Sequence, residues 1–120
     1  MPKCILVVDD DPVIIRFVQR TLQGSGYEVM TAQDGLEALE SLKKQIPDLI
    51  LLDVGMPKMD GYAFIMEKSN NPAFAGIPVI VLTTMDKTEP LFKRHGVKAY
   101  LLKPIETQEL LDKIKSIVEP

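Results

Sequence analysis

The side chains that could do chemistry together in this sequence of 120 residues stand at the ends of short apolar runs. Ile5–Val8 ends in the consecutive carboxylates Asp9, Asp10 and Asp11. Leu49–Leu52 ends in Asp53, Val79–Leu82 in Thr83 and Thr84, and Lys98–Leu102 in Lys103, which precedes Pro104. Two carboxylates about 4 Å apart repel by roughly 4 kcal/mol at an effective dielectric of 20. A domain stable by about 5–15 kcal/mol would not keep such a cluster uncompensated. Lys103 can offset one charge and a hard divalent cation two more. An all-oxygen site with few protein ligands suits Mg²⁺, which keeps waters and shares its shell with phosphate oxygens. No Cys/His cluster is present to favour zinc. A carboxylate beside Mg²⁺ and an ammonium is placed to attack phosphorus. The metal and Lys103 would hold the equatorial oxygens, and Thr83 could hydrogen-bond one of them in the product.

The clustering requires a particular frame. Ile5–Val8 is short and rich in branched residues, as a buried strand is. Asp11 followed by Pro12 is an N-cap and first helical position, and Ile14, Phe17, Val18, Thr21 and Leu22 repeat at helical spacing until Gly24 and Gly26. Tyr27–Ala32 reads as a second strand. Asp34 with Glu37 opens a second helix in the manner of a capping box, with Leu36, Leu39, Leu42 and Ile46 as its apolar side and Pro47 as its stop. Leu49–Leu52 is the third strand, Tyr62–Ser69 the third helix and Val79–Leu82 the fourth strand. A fourth helix is expected between Asp86 and His95, shortened by Pro90. Lys98–Leu102 is the fifth strand, and Leu110, Leu111, Ile114, Ile117 and Val118 mark the last helix. Strict β/α alternation implies an α/β fold: a doubly wound, five-stranded parallel sheet with helices on both faces. At this size the flavodoxin-like order 2-1-3-4-5 is expected, with residues 1–120 as one domain. Strands 1 and 3 are then neighbours, and the crevice between their carboxyl ends receives the carboxylates, the hydroxyl and the ammonium.

Composition narrows the partners. The chain is 46% apolar and 26% charged, the balance of a globular domain rather than a disordered or membrane protein. Its aliphatic runs of four residues are far short of a membrane span, and the acids after Val8 do not fit a signal peptide. A net charge of −3 argues against direct nucleic-acid contact. The single Cys4 cannot form an internal disulfide and fits a reducing, cytoplasmic setting.

Over essentially its whole length the sequence resembles the receiver domain of two-component response regulators. The motifs that carry the resemblance are Ile5–Pro12, Asp34–Leu39, Pro47–Asp53, Met56–Gly61, Ile77–Thr83 and Tyr100–Pro104. The resemblance implies that Asp53 is the phosphoacceptor, becoming a 4-aspartylphosphate at the expense of a phosphohistidine on a sensor histidine kinase or histidine phosphotransfer protein. It implies direct Mg²⁺ ligation by Asp10, Asp53 and the backbone carbonyl of Gly55, with Asp9 acting through a coordinated water and Mn²⁺ as an alternative ion. Lys103 would pair with the phosphoryl group. Thr83 and Tyr100 would be the switch pair, their movement shifting the face made by the fourth helix, fifth strand and last helix. That face would engage a downstream protein target or a fused output domain. The domain would be a phosphoacceptor switch rather than an enzyme, with only self-catalysed phosphoryl transfer and autodephosphorylation. The Lys103–Pro104 bond is expected to be cis.

Other residues take plainer roles: Asp11 caps a helix, Asp60 organises the loop before Gly61, Cys4 packs, His95 ends a helix, and Met56 and Met59 pack in a loop. Gly55 and Thr84 depart from the usual family residues, and the stretch from Thr83 to Gly96 is shorter than usual. Lys98 and Ala99 stand where transcription-factor receivers commonly carry an acid used in dimer salt bridges. Two other functions compete with the switch. A small-molecule phosphatase forming an aspartyl-phosphate would want a second acid two residues after a strand-1 nucleophile and a cap domain. An unphosphorylated docking module would usually have lost an acid or the lysine, and all are here.

Overall fold

The computed structural model describes residues 2–53, 61–83 and 96–119. The elements run β1 (Cys4–Val8), α1 (Pro12–Gly24), β2 (Glu28–Ala32), α2 (Gly35–Lys44), β3 (Leu49–Asp53), α3 (Gly61–Asn70), β4 (Val79–Thr83), β5 (Val97–Leu102) and α4 (Thr107–Val118). The helix expected between Asp86 and His95, with Pro90, lies outside the described residues.

All strand pairs are parallel and the sheet order is β2-β1-β3-β4-β5, as the alternation requires. β1, β3 and β4 are buried at every position, which is why they read as unbroken apolar runs rather than alternating ones. Their side chains alternate between two cores. On one face Ile5, Val7, Leu49, Leu51, Ile80 and Leu82 meet Val18 and Leu22 of α1 and Leu110, Ile114 and Val118 of α4. On the other, Leu6, Val8, Ile50, Leu52, Val79 and Val81 meet Ala38 and Leu42 of α2 and Phe64 and Ile65 of α3.

The caps explain where α1 and α2 begin. Asp11 Oδ1 accepts from the Val13 amide at 2.9 Å, with Pro12 opening α1. Asp34 Oδ1 accepts from the Glu37 amide at 2.8 Å. The return bond of Glu37 goes to the Gln33 amide at 3.3 Å, one residue before the cap, so the box is displaced by one position. The apolar side of α2 also differs from expectation. The buried residues are Gly35, Ala38 and Leu42, whereas Leu36 and Ile46 are 52% and 51% exposed. Positions 35, 38 and 42 share one helical face, Leu36 is turned about 100° from it, and Ile46 lies beyond the last turn. In α1, Val18 and Leu22 carry the packing and Phe17 is 42% exposed. Cys4 is buried, as a packed residue should be.

Strand β5 carries an irregularity. Val79 pairs with Val97 but Ile80 pairs with Ala99, leaving Lys98 as an extra residue. The remaining pairs are Val81 with Tyr100, Leu82 with Leu101 and Thr83 with Leu102.

A candidate phosphoacceptor and metal site at the carboxyl edge of the sheet

Parallel pairing puts all the strand ends on one edge. Val8 is in register with Leu52, so Asp9 and Asp53 leave adjacent strands side by side. Asp9 is fully buried and Asp53 and Thr83 are buried, while Asp10 is exposed. One oxygen from each of Asp9, Asp10 and Asp53 can be chosen so that all lie within 4.8 Å of one another.

Asp9 is held from both sides. Its amide donates to the Ala32 carbonyl at 3.1 Å. Its Oδ1 accepts from the Asp11 amide at 2.9 Å, and its Oδ2 accepts from Lys103 Nζ at 3.2 Å. The same ammonium lies 3.3 Å from Asp53 Oδ1. The Lys103 amide donates to the Thr83 carbonyl at 2.8 Å, and the Lys103–Pro104 bond is cis. Main chain and side chain of Lys103 thus bind the ends of β4, β1 and β3 together.

The electrostatics follow from burial and crowding. Loss of water pushes the Asp9 carboxyl above its ordinary value, and the charge of Asp53 pushes the same way. The Asp11 amide and Lys103 pull against both. Burial works against the charge of Lys103, but Asp9 and Asp53 outweigh it and hold the ammonium above the usual lysine range. Three clustered carboxylates, two of them sharing one lysine, are hard oxygen donors with too little positive charge among them, and they fit a hard divalent cation.

Residues 5–115 match the response regulator receiver domain family. The chain belongs to that family. It is 38% identical to the alkaline phosphatase synthesis transcriptional regulatory protein PhoP of Bacillus subtilis, over 98% of this chain and 49% of PhoP. It is 32% identical to the polar-differentiation response regulator DivK of Brucella anthropi, over 97% of this chain and 96% of DivK. The chain therefore spans about half the length of PhoP and nearly all of DivK. Chemotaxis protein CheY4 of Vibrio cholerae superposes with a TM-score of 0.92 at 34% identity, over 98% of this chain and 99% of that one. The receiver domain of the sensor histidine kinase PA1611 of Pseudomonas aeruginosa superposes with a TM-score of 0.89 at 29% identity, over all of both chains. That receiver has a magnesium ion coordinated in its active-site cleft. Receiver domains are phosphoacceptor switches in two-component signalling rather than conventional enzymes, and response regulators work with histidine kinases and output domains. No helix among the described residues is long and apolar enough to cross a membrane.

Within this receiver, Asp9, Asp10, Asp53 and Lys103 come together as the alternation of strands and helices requires. Thr83 ends β4 at the same edge. Tyr100 is half-buried and packs against the core beneath α2 and α3. Gly55, Met56, Met59, Asp60, Thr84, Pro90 and His95 lie outside the described residues. Sequence reasoning passed over one buried charge, Lys68 of α3, which is fully buried. The signal was available: Lys68 follows Phe64 by four residues and Ile65 by three, which places it on their face of the helix.

Proposed function

We propose that residues 1–120 form one receiver domain in which Asp53 accepts a phosphoryl group from a phosphohistidine. The observation that carries this reading is the single ammonium of Lys103 shared by Asp9 and Asp53 beside the exposed Asp10. An Asp53 carboxylate oxygen forms the new bond to phosphorus as the phosphorus–nitrogen bond of the phosphohistidine breaks. The electron pair returns to the imidazole nitrogen. The product, a 4-aspartylphosphate, gains negative charge, and Lys103 is placed to neutralise part of it. Asp10 and Asp53, with the Gly55 carbonyl, would hold Mg²⁺ or Mn²⁺ directly, and Asp9 would act through a coordinated water. When bound, the ion would neutralise the phosphoryl oxygens and the crowded carboxylates.

The donor is a sensor histidine kinase or histidine phosphotransfer protein. A surface suited to protein contact adjoins the site. Val13 and Phe17 of α1 are 72% and 42% exposed, and with Arg16 and Arg20 they line a shallow groove of 480 Å³ that starts at Pro12. Thr83 and Tyr100 are the switch pair. Thr83 turns toward the phosphoryl oxygens and Tyr100 moves behind it, changing the surface offered to a downstream target or a fused output domain. Autodephosphorylation resets the switch. A small-molecule phosphatase is disfavoured because nothing among the described residues forms a cap over the site. A docking role without phosphorylation is disfavoured because every charged group of the site is in place.

Acetyl phosphate with Mg²⁺ tests the reading. Intact-mass measurement should show one added phosphoryl group on the wild type and none on Asp53→Asn, which should stay folded. An added group surviving in Asp53→Asn, or none on the wild type, defeats the assignment.

A further inference from the structure

Asp9, Asp53, Thr83 and Lys68 are the buried polar side chains among the described residues, and Lys68 alone of these is not part of the acidic site. Helix α3 carries it to the sheet's amino edge. There its Nζ donates to the Ala75 carbonyl at 3.2 Å. A Cβ on Gly96 would lie 3.5 Å from that Nζ, and 3.7 Å from each of the Ala75 and Ile77 carbonyl oxygens. The ammonium, the two carbonyls and Gly96 therefore meet at one point. Gly96 has a φ of +84°, and its carbonyl accepts the Val79 amide at 3.1 Å, which opens the β4–β5 pairing.

A buried ammonium with one carbonyl acceptor among the described residues is a poor source of net stability, because desolvation opposes the gain. Burial lowers the basicity of Lys68, and the nearby charge of Lys98 adds to this. What the contact does is fix geometry. Directly after Gly96 the strand holds its extra residue, Lys98. Beyond that bulge, Ala99 and Leu101 face the α1/α4 core and Tyr100 faces the α2/α3 core. A slip by one residue would exchange those faces. It would also move Lys103, which follows β5 directly, off the Thr83 carbonyl and away from Asp9 and Asp53.

We propose that Lys68 pins the start of β5 against α3 and the 75–77 loop, and so sets the register that delivers Lys103 to the acidic site. It is a positioning residue for phosphoryl transfer, and in that respect the proposal rests on the reading of Asp53 as acceptor. Two variants test it. Lys68→Met keeps length and apolar bulk but removes the donors. Gly96→Ala keeps Lys68 and strains the positive φ. In both, the amides of Val79 and Lys103 should exchange at least about tenfold faster relative to the amide of Asp9, which is bonded across β1–β2 to Ala32. Phosphorylation by acetyl phosphate at saturating Mg²⁺ should slow by about tenfold. Mg²⁺ affinity should not weaken, because the carboxylates directly follow β1 or end β3, away from the β4–β5 pairing. Unchanged exchange at Val79 and Lys103 in Lys68→Met, or equal acceleration of all three amides, overturns the proposal. If Lys68→Met does not fold, Lys68→Leu, which also removes the donors, decides on the same criteria. If the wild type takes no phosphoryl group, the reading of Asp53 has failed, and relative exchange alone decides whether Lys68 is the pin.

Discussion

Lys103 Nζ stands 3.2 Å from Asp9 Oδ2 and 3.3 Å from Asp53 Oδ1, almost midway between carboxylates from two strands. The lysine is 20% exposed and the Asp9 side chain not at all, so the pair sits where water screens weakly. One ammonium thus compensates two buried acids from neighbouring strand ends.

Removing that ammonium should be costly. Lys103→Met leaves Asp9 as a buried charge without its partner, and should lower stability by about 2–4 kcal/mol in denaturant titration without metal. Asp9→Asn added to it should recover part of the loss, because the two sites are coupled. Strict additivity of the two substitutions would show that the contact is not energetically coupled.

Relief of crowding should have the opposite sign. Asp10 is exposed, and its carboxylate can approach those of Asp9 and Asp53 within 4.8 Å. In a water-like dielectric each such repulsion is about 1 kcal/mol. Asp10→Asn should therefore raise the melting temperature of the metal-free protein and weaken Mg²⁺ binding. A lower melting temperature without metal would contradict the crowding argument.

Metal should stabilise by mass action. An ion that binds only the folded site contributes about 2.7 kcal/mol at a hundred times its Kd. For a domain of this size that is a shift of roughly ten degrees. Asp53→Ala should show a much smaller shift in the same Mg²⁺ titration. Equal shifts would place the ion elsewhere.

The sheet order and the meeting of Asp9, Asp10, Asp53 and Lys103 were legible because they rest on long-lived regularities: buried parallel strands read as apolar runs, and their ends share an edge. What could not be read was which partner each charge chooses. The sequence does not say that Lys103 bridges Asp9 as well as Asp53, because that depends on side-chain geometry across three strands. Helical periodicity misled at Leu36 and Ile46, since an apolar residue can sit at a plausible spacing and still face water. The bulge at Lys98 was not legible either. It arises just after Gly96, where β5 begins to pair with Val79, and beside Lys68, a contact that sequence spacing does not announce.

The start of β2 and the end of α4 are joined by a bond whose pH dependence can be worked out. The Tyr27 hydroxyl, just before β2, donates to Glu119 Oε2 at 2.7 Å, just past α4. Burial, then the bond to Glu119 and its charge, push the Tyr27 hydroxyl from its ordinary 10 up to about 12. The protonated form is the one favoured by folding. Its contribution is therefore fully present below about pH 10, and it is lost as pH rises from there through about 12. The bond is exposed, so its net worth is small, about 1 kcal/mol or less. Tyr27→Phe should accordingly be slightly less stable than the wild type at neutral pH. That difference should shrink once the pH passes about 10, where an unfolded tyrosine ionises. Denaturant midpoints of the two proteins, compared at neutral and alkaline pH, measure it directly. A gap that stays constant, or widens, as the pH climbs would mean that the hydroxyl is not the group carrying the effect.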